Sequence, residues 1–124
     1  MNIKTGVDII EVDRIQDAIE NQGESFLNKV YTKNEIAHCN NTGKMIYQHY
    51  AARFAAKEAI YKAISDIISP NENNILNKIE ITNTKSGKPI ANLEALHIEN
   101  IESMDLSLSH IKNYAIASFS IIFK

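Results

Sequence analysis

The order of apolar and polar positions along the chain predicts helices first and strands later. An apolar-rich stretch from Ile3 to Ile10 reads as a short strand ending near Asp8. Val12, Ile15, Ala18 and Ile19 then fall on one face of a helix over Val12 to Gln22, with Gly23 as its stop. A short helix covers Ser25 to Val30. Thr32-Lys33-Asn34-Glu35 has the form of a capping box, in which the Thr hydroxyl and the Glu carboxylate satisfy free amides at a helix start. That helix ends by Asn40, before the loop Asn41-Thr42-Gly43.

The longest helix is expected over Met45 to Ile68. Ala52, Ala56, Ala59, Ala63 and Ile67 recur at steps of three and four, a stripe small enough for close packing against a neighbour. Ser69-Pro70-Asn71 breaks the pattern. Lys78 to Asn83 alternates as a strand, Lys85 to Pro89 reads as a turn, and Pro89 to Glu94 is the return strand. Ala95 to Glu102 is ambiguous. Met104 to Ser109 and Tyr114 to Phe123 alternate again, joined by His110-Ile111-Lys112-Asn113. Helices followed by an antiparallel sheet predict an α+β fold.

Composition narrows the class. At 124 residues the chain is expected to form one domain, 1–124, able to bury a sizeable core. With 44% hydrophobic and 23% charged residues it reads as globular rather than disordered. No apolar run reaches a membrane span of roughly 18–20 residues, and Met1 to Gly6 does not read as a signal peptide. Neither a membrane nor a nucleic acid is expected as a partner, since the net charge is −2. The one cysteine, Cys39, rules out an internal disulfide and a Cys-based zinc cluster, and the cytoplasm is the expected compartment. Only two of the 13 basic residues are Arg, Arg14 and Arg53, which draws notice to each, because Arg suits planar anion binding.

Three segments carry candidate chemistry. Gly6-Val7-Asp8-Ile9-Ile10-Glu11 brings a carboxylate to a strand end; alone, Asp8 reads as a turn or cap residue. In Arg53-Phe54-Ala55-Ala56-Lys57-Glu58-Ala59-Ile60-Tyr61-Lys62-Ala63, Phe54, Glu58 and Lys62 share one helical stripe. A Glu58–Lys62 surface pair and a core Phe54 are the plain readings, but the three together beside an Ala stripe suggest a site. Leu106-Ser107-Leu108-Ser109-His110 delivers two hydroxyls on one strand face and ends in a histidine. Two carboxylates from separate elements can hold a hard divalent cation whose remaining ligands are waters and phosphates. A nearby lysine can serve a leaving group. No P-loop or dinucleotide fingerprint is present.

These motifs, with Gly87-Lys88-Pro89, resemble the small 4′-phosphopantetheinyl transferases of the holo-acyl-carrier-protein synthase type, in order and spacing over nearly the whole chain. The resemblance implies a long helix packed on an antiparallel sheet, and a homotrimer with active sites between neighbours. It implies transfer of 4′-phosphopantetheine from coenzyme A to a serine of apo-acyl carrier protein, in support of fatty acid biosynthesis. Asp8 and Glu58 would bind Mg2+, and Lys62 would assist the departing adenosine 3′,5′-bisphosphate. Arg53, Phe54, Lys57, Gly87, Lys88, Pro89, Ser109 and His110 would contact coenzyme A, and Arg14 the carrier protein. The base stays open among Asp8, Glu58 and a water on the metal. The family's glycine-rich loop after the helix motif is replaced here by Ile64-Ser65-Asp66-Ile67-Ile68-Ser69-Pro70. A non-catalytic binding module of the same fold and a metal-dependent phosphohydrolase are the alternatives.

Overall fold

The computed structural model describes residues 2–124. Its elements run β1 (Asn2–Glu11), α1 (Val12–Gln22), α2 (Glu24–Val30), α3 (Lys33–Asn40), α4 (Ile46–Ile64), α5 (Ile75–Lys78), β2 (Glu80–Asn83), β3 (Pro89–Asn92), β4 (Ile101–His110) and β5 (Tyr114–Phe123). Strands β1, β5 and β4 form an antiparallel sheet in that order, and β2 with β3 forms a separate antiparallel ribbon. Among the described residues, no helix is long and apolar enough to cross a membrane.

The central helix α4 lies on the inner face of the three-stranded sheet. Its stripe of Ala52, Ala56, Ala59 and Ala63 is buried, and Ala56, Ala59 and Ala63 join Ala117, Phe119, Ile121 and Leu106 of the sheet in one core cluster. A second cluster, built on Val12, Ile15, Val30, Tyr31 and Tyr50, packs α1, α2 and α3 around the first half of α4. The small-residue stripe is thus used inside the chain. This is the close packing against a neighbouring element that its small residues allow.

Gly6 shows how closely sheet and helix approach. A Cβ built there would stand 1.8 Å from the Ala59 carbonyl oxygen, well inside van der Waals contact. Only glycine allows β1 to press onto α4 at this point, and the contact sets the height of Asp8 two residues on.

Several boundaries differ from expectation: β1 runs on to Glu11, so Asp8 lies within the strand and not at its end, and β3 stops at Asn92. Helix α4 stops at Ile64, where the Ile67 and Ile68 amides both donate to the Ile64 carbonyl and turn the chain away. Ile67 therefore leaves the Ala stripe and is exposed. Lys78 belongs to the short α5, so β2 begins only at Glu80. In the ambiguous stretch, Glu94–Leu96 forms a 3-10 turn and β4 starts at Ile101.

Candidate active site

Strand β1 and helix α4 bring together residues 50 and more positions apart. Along β1 the even-numbered side chains face α4, because strand side chains alternate. Asp8 is one of them. On α4 the stripe Phe54–Glu58–Lys62 runs along the helix edge, with Phe54 and Glu58 half-buried and Lys62 exposed. The Lys62 ammonium donates to the Asp8 carboxylate and to the Val7 carbonyl, each at 3.0 Å. The Glu58–Lys62 pair that helical spacing suggested gives way to this cross-element pair.

Glu58 feels both neighbours. Burial, and then the negative charge of Asp8, push its carboxyl above the usual carboxylate range, while Lys62 pulls it back. Two carboxylates held near each other with a single ammonium form a site whose charge a divalent cation would relieve. Their hard oxygens suit magnesium, which takes one or two protein carboxylates and keeps waters and phosphates as its other ligands. Among the described residues there is no cluster of three or more His, Cys, Asp or Glu able to hold a metal, so any such ion would depend on outside ligands.

A cleft of about 480 Å³ opens elsewhere on α4, lined by Arg53, Gly87, Pro89 and His110 from three separate sequence segments, with His38 and His49 beside them. Arg53 is 3% exposed. Its Nη2 donates to Asn83 Oδ1 at 2.7 Å, and its buried Nε has no partner among the described residues. Asn83 Nδ2 donates to the Gly87 carbonyl at 3.1 Å, so one amide ties the Arg53 fork to the turn. Gly87 sits at φ +92°, a backbone conformation that side chains resist, and this closes the turn beside the cleft. His110 Nδ1 lies 2.8 Å from Gln48 Oε1.

Four expected ligand contacts, Arg53, Gly87, Pro89 and His110, thus converge; the others do not. Lys57 is sealed in the core with no exposed surface, paired to Glu35 at 2.7 Å and bonded to the Leu76 carbonyl at 2.7 Å and to the Ile79 carbonyl. One residue before Glu58, it is turned about 100° around the helix, from the open edge to the packed side. Phe54 stacks on Phe26, with centroids 6.4 Å apart, and stays outside the cleft. Lys88 reaches Asp105 at 3.0 Å instead. Ser109 and His110 are consecutive in β4, and their side chains face opposite sides of the sheet. Ser107 and Ser109 do share a face, as expected, and it is the exposed one. Arg14 is exposed on the first turn of α1.

His38, His49, Asn83 and Glu35 carry parts of these arrangements that the motifs did not reveal. Glu35 was legible as a cap but not as the partner of Lys57. The histidines come from two helices separated by a loop, with no periodic signal linking them.

An α+β chain with a carboxylate pair and lysine at a strand–helix junction, and a basic cleft near a glycine turn, has the equipment of a transferase for phosphorylated substrates. The family model for the 4′-phosphopantetheinyl transferase superfamily matches residues 4–118, and the chain belongs to that superfamily. It is similar to the holo-[acyl-carrier-protein] synthase of Ruminiclostridium cellulolyticum, at 45% identity over 122 residues, covering 94% of this chain and 90% of the relative. Among solved structures, it is similar to a holo-(acyl-carrier-protein) synthase from Bacillus anthracis in complex with CoA (3′,5′-ADP). The TM-score there is 0.77 and the identity 31%, covering 98% of this chain and 96% of the other. The Helicobacter pylori holo-[acyl-carrier-protein] synthase in complex with coenzyme A matches with TM-score 0.79 at 28% identity, covering 95% of this chain and 99% of the other.

Proposed function

We propose that this chain transfers 4′-phosphopantetheine from coenzyme A to a serine of apo-acyl carrier protein, releasing adenosine 3′,5′-bisphosphate, in support of fatty acid biosynthesis in the cytoplasm. The observation that carries the reading is the convergence of Asp8, Glu58 and Lys62 where β1 meets α4. The names of the relatives support the same substrate pair.

Asp8 and Glu58 would hold Mg2+, which supplies charge neutralisation at the pyrophosphate when bound. The protein's own contribution is positional. The carrier's serine oxygen attacks the phosphorus that bears pantetheine, and its proton passes to a base in the site. The bond from that phosphorus to the bridging oxygen breaks, and the oxygen leaves with the nucleotide. Lys62, anchored by Asp8 and the Val7 carbonyl, offers an ammonium to that departing oxygen. The nucleotide end occupies the cleft of Arg53, Gly87, Pro89 and His110. Arg14, exposed on the first turn of α1, faces an acidic carrier. The first 35 residues hold four basic and seven acidic side chains, so this steering is modest.

Assembly as a homotrimer is part of the same proposal, and the sheet's outer face supports an interface between copies. Ile3, Val7, Ile9, Tyr114 and Ile116 are all 42% or more exposed there. Register places Ile9 beside Ile116 and Ile3 beside Ile122. A contiguous apolar face of this kind marks an interface. It also explains Ser109, which faces out on the same surface and would reach a ligand held by a neighbouring copy.

The test is incubation with apo-acyl carrier protein, coenzyme A and magnesium, read by intact mass. Gain of a phosphopantetheine mass on the carrier is the expected result. Consumption of coenzyme A without that gain would mean hydrolysis, and binding without either product would mean a non-catalytic module.

A further inference from the structure

Helix α4 carries two stripes of opposite character. Phe54, Glu58 and Lys62 follow one another at four-residue steps along its open edge. Arg53 and Lys57 each stand one residue earlier, about 100° around the helix, and both are buried. With Glu35 they make up the buried charged residues among the described residues. All three bond to one stretch of chain, Ile79 to Asn83. Lys57 Nζ donates to the Ile79 carbonyl just before β2. Glu35 Oε2 accepts from the Ile81 amide at 2.7 Å, and Arg53 Nη2 donates to Asn83 Oδ1 at 2.7 Å. Glu35 and Lys57 close on each other at 2.7 Å, and Lys57 also donates to the Leu76 carbonyl at 2.7 Å. Helix α4 is thus pinned to alternate residues of its neighbour and cannot turn about its axis without breaking directional bonds.

Stability alone does not call for such a pair. Apolar side chains of similar volume often serve it as well or better, because both charges must be stripped of water. What the ions add is direction. Glu58 is the next residue after Lys57, and the tip of a helical side chain lies about 5 Å from the axis. A rotation of α4 by about 20° would carry that tip through roughly 2 Å, whereas metal–oxygen distances tolerate about 0.2 Å. We propose that Lys57, with Glu35, is a positioning residue for the metal: it holds α4 at the rotation that lets Glu58 share a cation with Asp8. The inference rests on the reading of Asp8 and Glu58 as the metal pair. Lys57 touches neither metal nor substrate. It acts from the sealed side of the helix, through the backbone it shares with Glu58.

The experiment measures Mn2+ binding by electron paramagnetic resonance in the presence of coenzyme A, and transfer as a function of magnesium concentration. Manganese suits the same oxygen ligands. Two variants are compared with the wild type. Lys57→Met removes the ammonium. Glu35→Asp keeps the charge and withdraws the carboxylate by one methylene, so it folds even where Lys57→Met does not. Leu96→Ala is the control: it opens a cavity in the core and leaves the pair intact, so it reports what lost stability alone does. Sucrose, which favours the compact state, is present throughout, and circular dichroism checks the fold. In Lys57→Met, Mn2+ affinity should fall by roughly 10- to 100-fold, the range typical when a group that orients a metal ligand is lost. Saturating magnesium should return turnover close to that of the wild type. Glu35→Asp should lose affinity in the same direction, and Leu96→Ala should bind Mn2+ as the wild type does. Wild-type Mn2+ affinity in either folded pair variant overturns the proposal. An equal loss in Leu96→Ala overturns it too, since the effect would then be general loosening. Absence of Mn2+ binding by the wild type would instead sink the metal reading of Asp8 and Glu58, and the inference with it.

Discussion

The Glu35 carboxylate and the Lys57 ammonium meet at 2.7 Å with neither side chain exposed. Glu35 also accepts from the Thr32 amide at 2.8 Å and from the Ile81 amide at 2.7 Å, and Lys57 donates to two backbone carbonyls. One pair therefore joins the start of α3, the middle of α4, α5 and β2. It fixes the rotation of α4, and with it the edge on which Glu58 stands. Burial lowers the proton affinity of Lys57, and Glu35 offsets only part of that, so the Lys57 charge depends on its partner. Removing one partner strands the second. Glu35→Gln and Lys57→Met should each cost about 3–5 kcal/mol by urea unfolding, and the double variant less than their sum. Strict additivity would show that the pair is not coupled.

Gly6→Ala should disturb the site without touching its chemistry. The added methyl collides with the Ala59 carbonyl, a backbone atom that cannot swing aside. β1 must lift from α4, at a cost of about 1–3 kcal/mol. Asp8 moves with it, so transfer activity should fall even at temperatures where circular dichroism shows the variant folded. Wild-type turnover in Gly6→Ala would mean that this contact does not set the position of Asp8.

Periodicity located the long helices and the paired strands, because a buried stripe leaves a regular signature. The capping box named both its partners, since its bonds are local. What periodicity could not supply was the third dimension. Lys57 sits in the most recognisable motif of the chain, and its neighbour Glu58 made it look like a ligand contact. Only its partner Glu35, 22 residues earlier, reveals a core residue. Helix α4 ended early because turn bonds to the Ile64 carbonyl captured a sequence that remained apolar. The Asp8–Lys62 bridge and the gathering of His38, His49 and His110 at the cleft arise from tertiary placement, which no single segment encodes.

The proton affinity of Glu58 should depend on the charge of Asp8. Glu58 binds its proton more tightly than an ordinary carboxylate, so as the pH falls it loses its charge earlier, at a higher pH. Activity at limiting magnesium should therefore decline on the acid side before a typical Glu would be protonated. Replacing Asp8 by Asn removes a repelling charge and frees Lys62, so the Glu58 pKa should drop, measurable by carboxyl NMR in metal-free protein. Both Asp8→Asn and Glu58→Gln should abolish most transfer while the fold persists, and the double variant should be little worse than either. A Glu58 pKa that ignores Asp8 would contradict the shared site.

The outer face of the sheet offers a test of assembly. Ile9 and Ile116 are directly paired across β1 and β5, and both are exposed. Ile9→Lys with Ile116→Lys places two like charges on that face. Light scattering should report a trimer for the parent chain and a monomer for the variant, whose circular dichroism stays native. Transfer should be lost with the trimer. A monomeric active parent would overturn the shared-site reading, and so would a variant that remains trimeric.

Lys62 distinguishes catalysis from scaffolding. Negative charge gathers on the leaving oxygen as the phosphoryl group departs, and a cation fixed there stabilises the transition state more than the bound substrate. Lys62 is held by Asp8 and the Val7 carbonyl, both at 3.0 Å, and its side chain remains half exposed. The competing role is local: Lys62 could serve only to orient Asp8 and to temper its repulsion of Glu58. Lys62→Met keeps most of the stem and removes the charge. If the ammonium serves the leaving group, turnover should fall by roughly 100- to 10,000-fold, with coenzyme A still bound. Loss of the ammonium also leaves two uncompensated carboxylates, so magnesium should bind no more weakly than before. If Lys62 only orients Asp8, metal affinity drops instead and excess magnesium restores much of the rate. Rescue by magnesium would therefore exclude the leaving-group role and leave Lys62 a positioning residue.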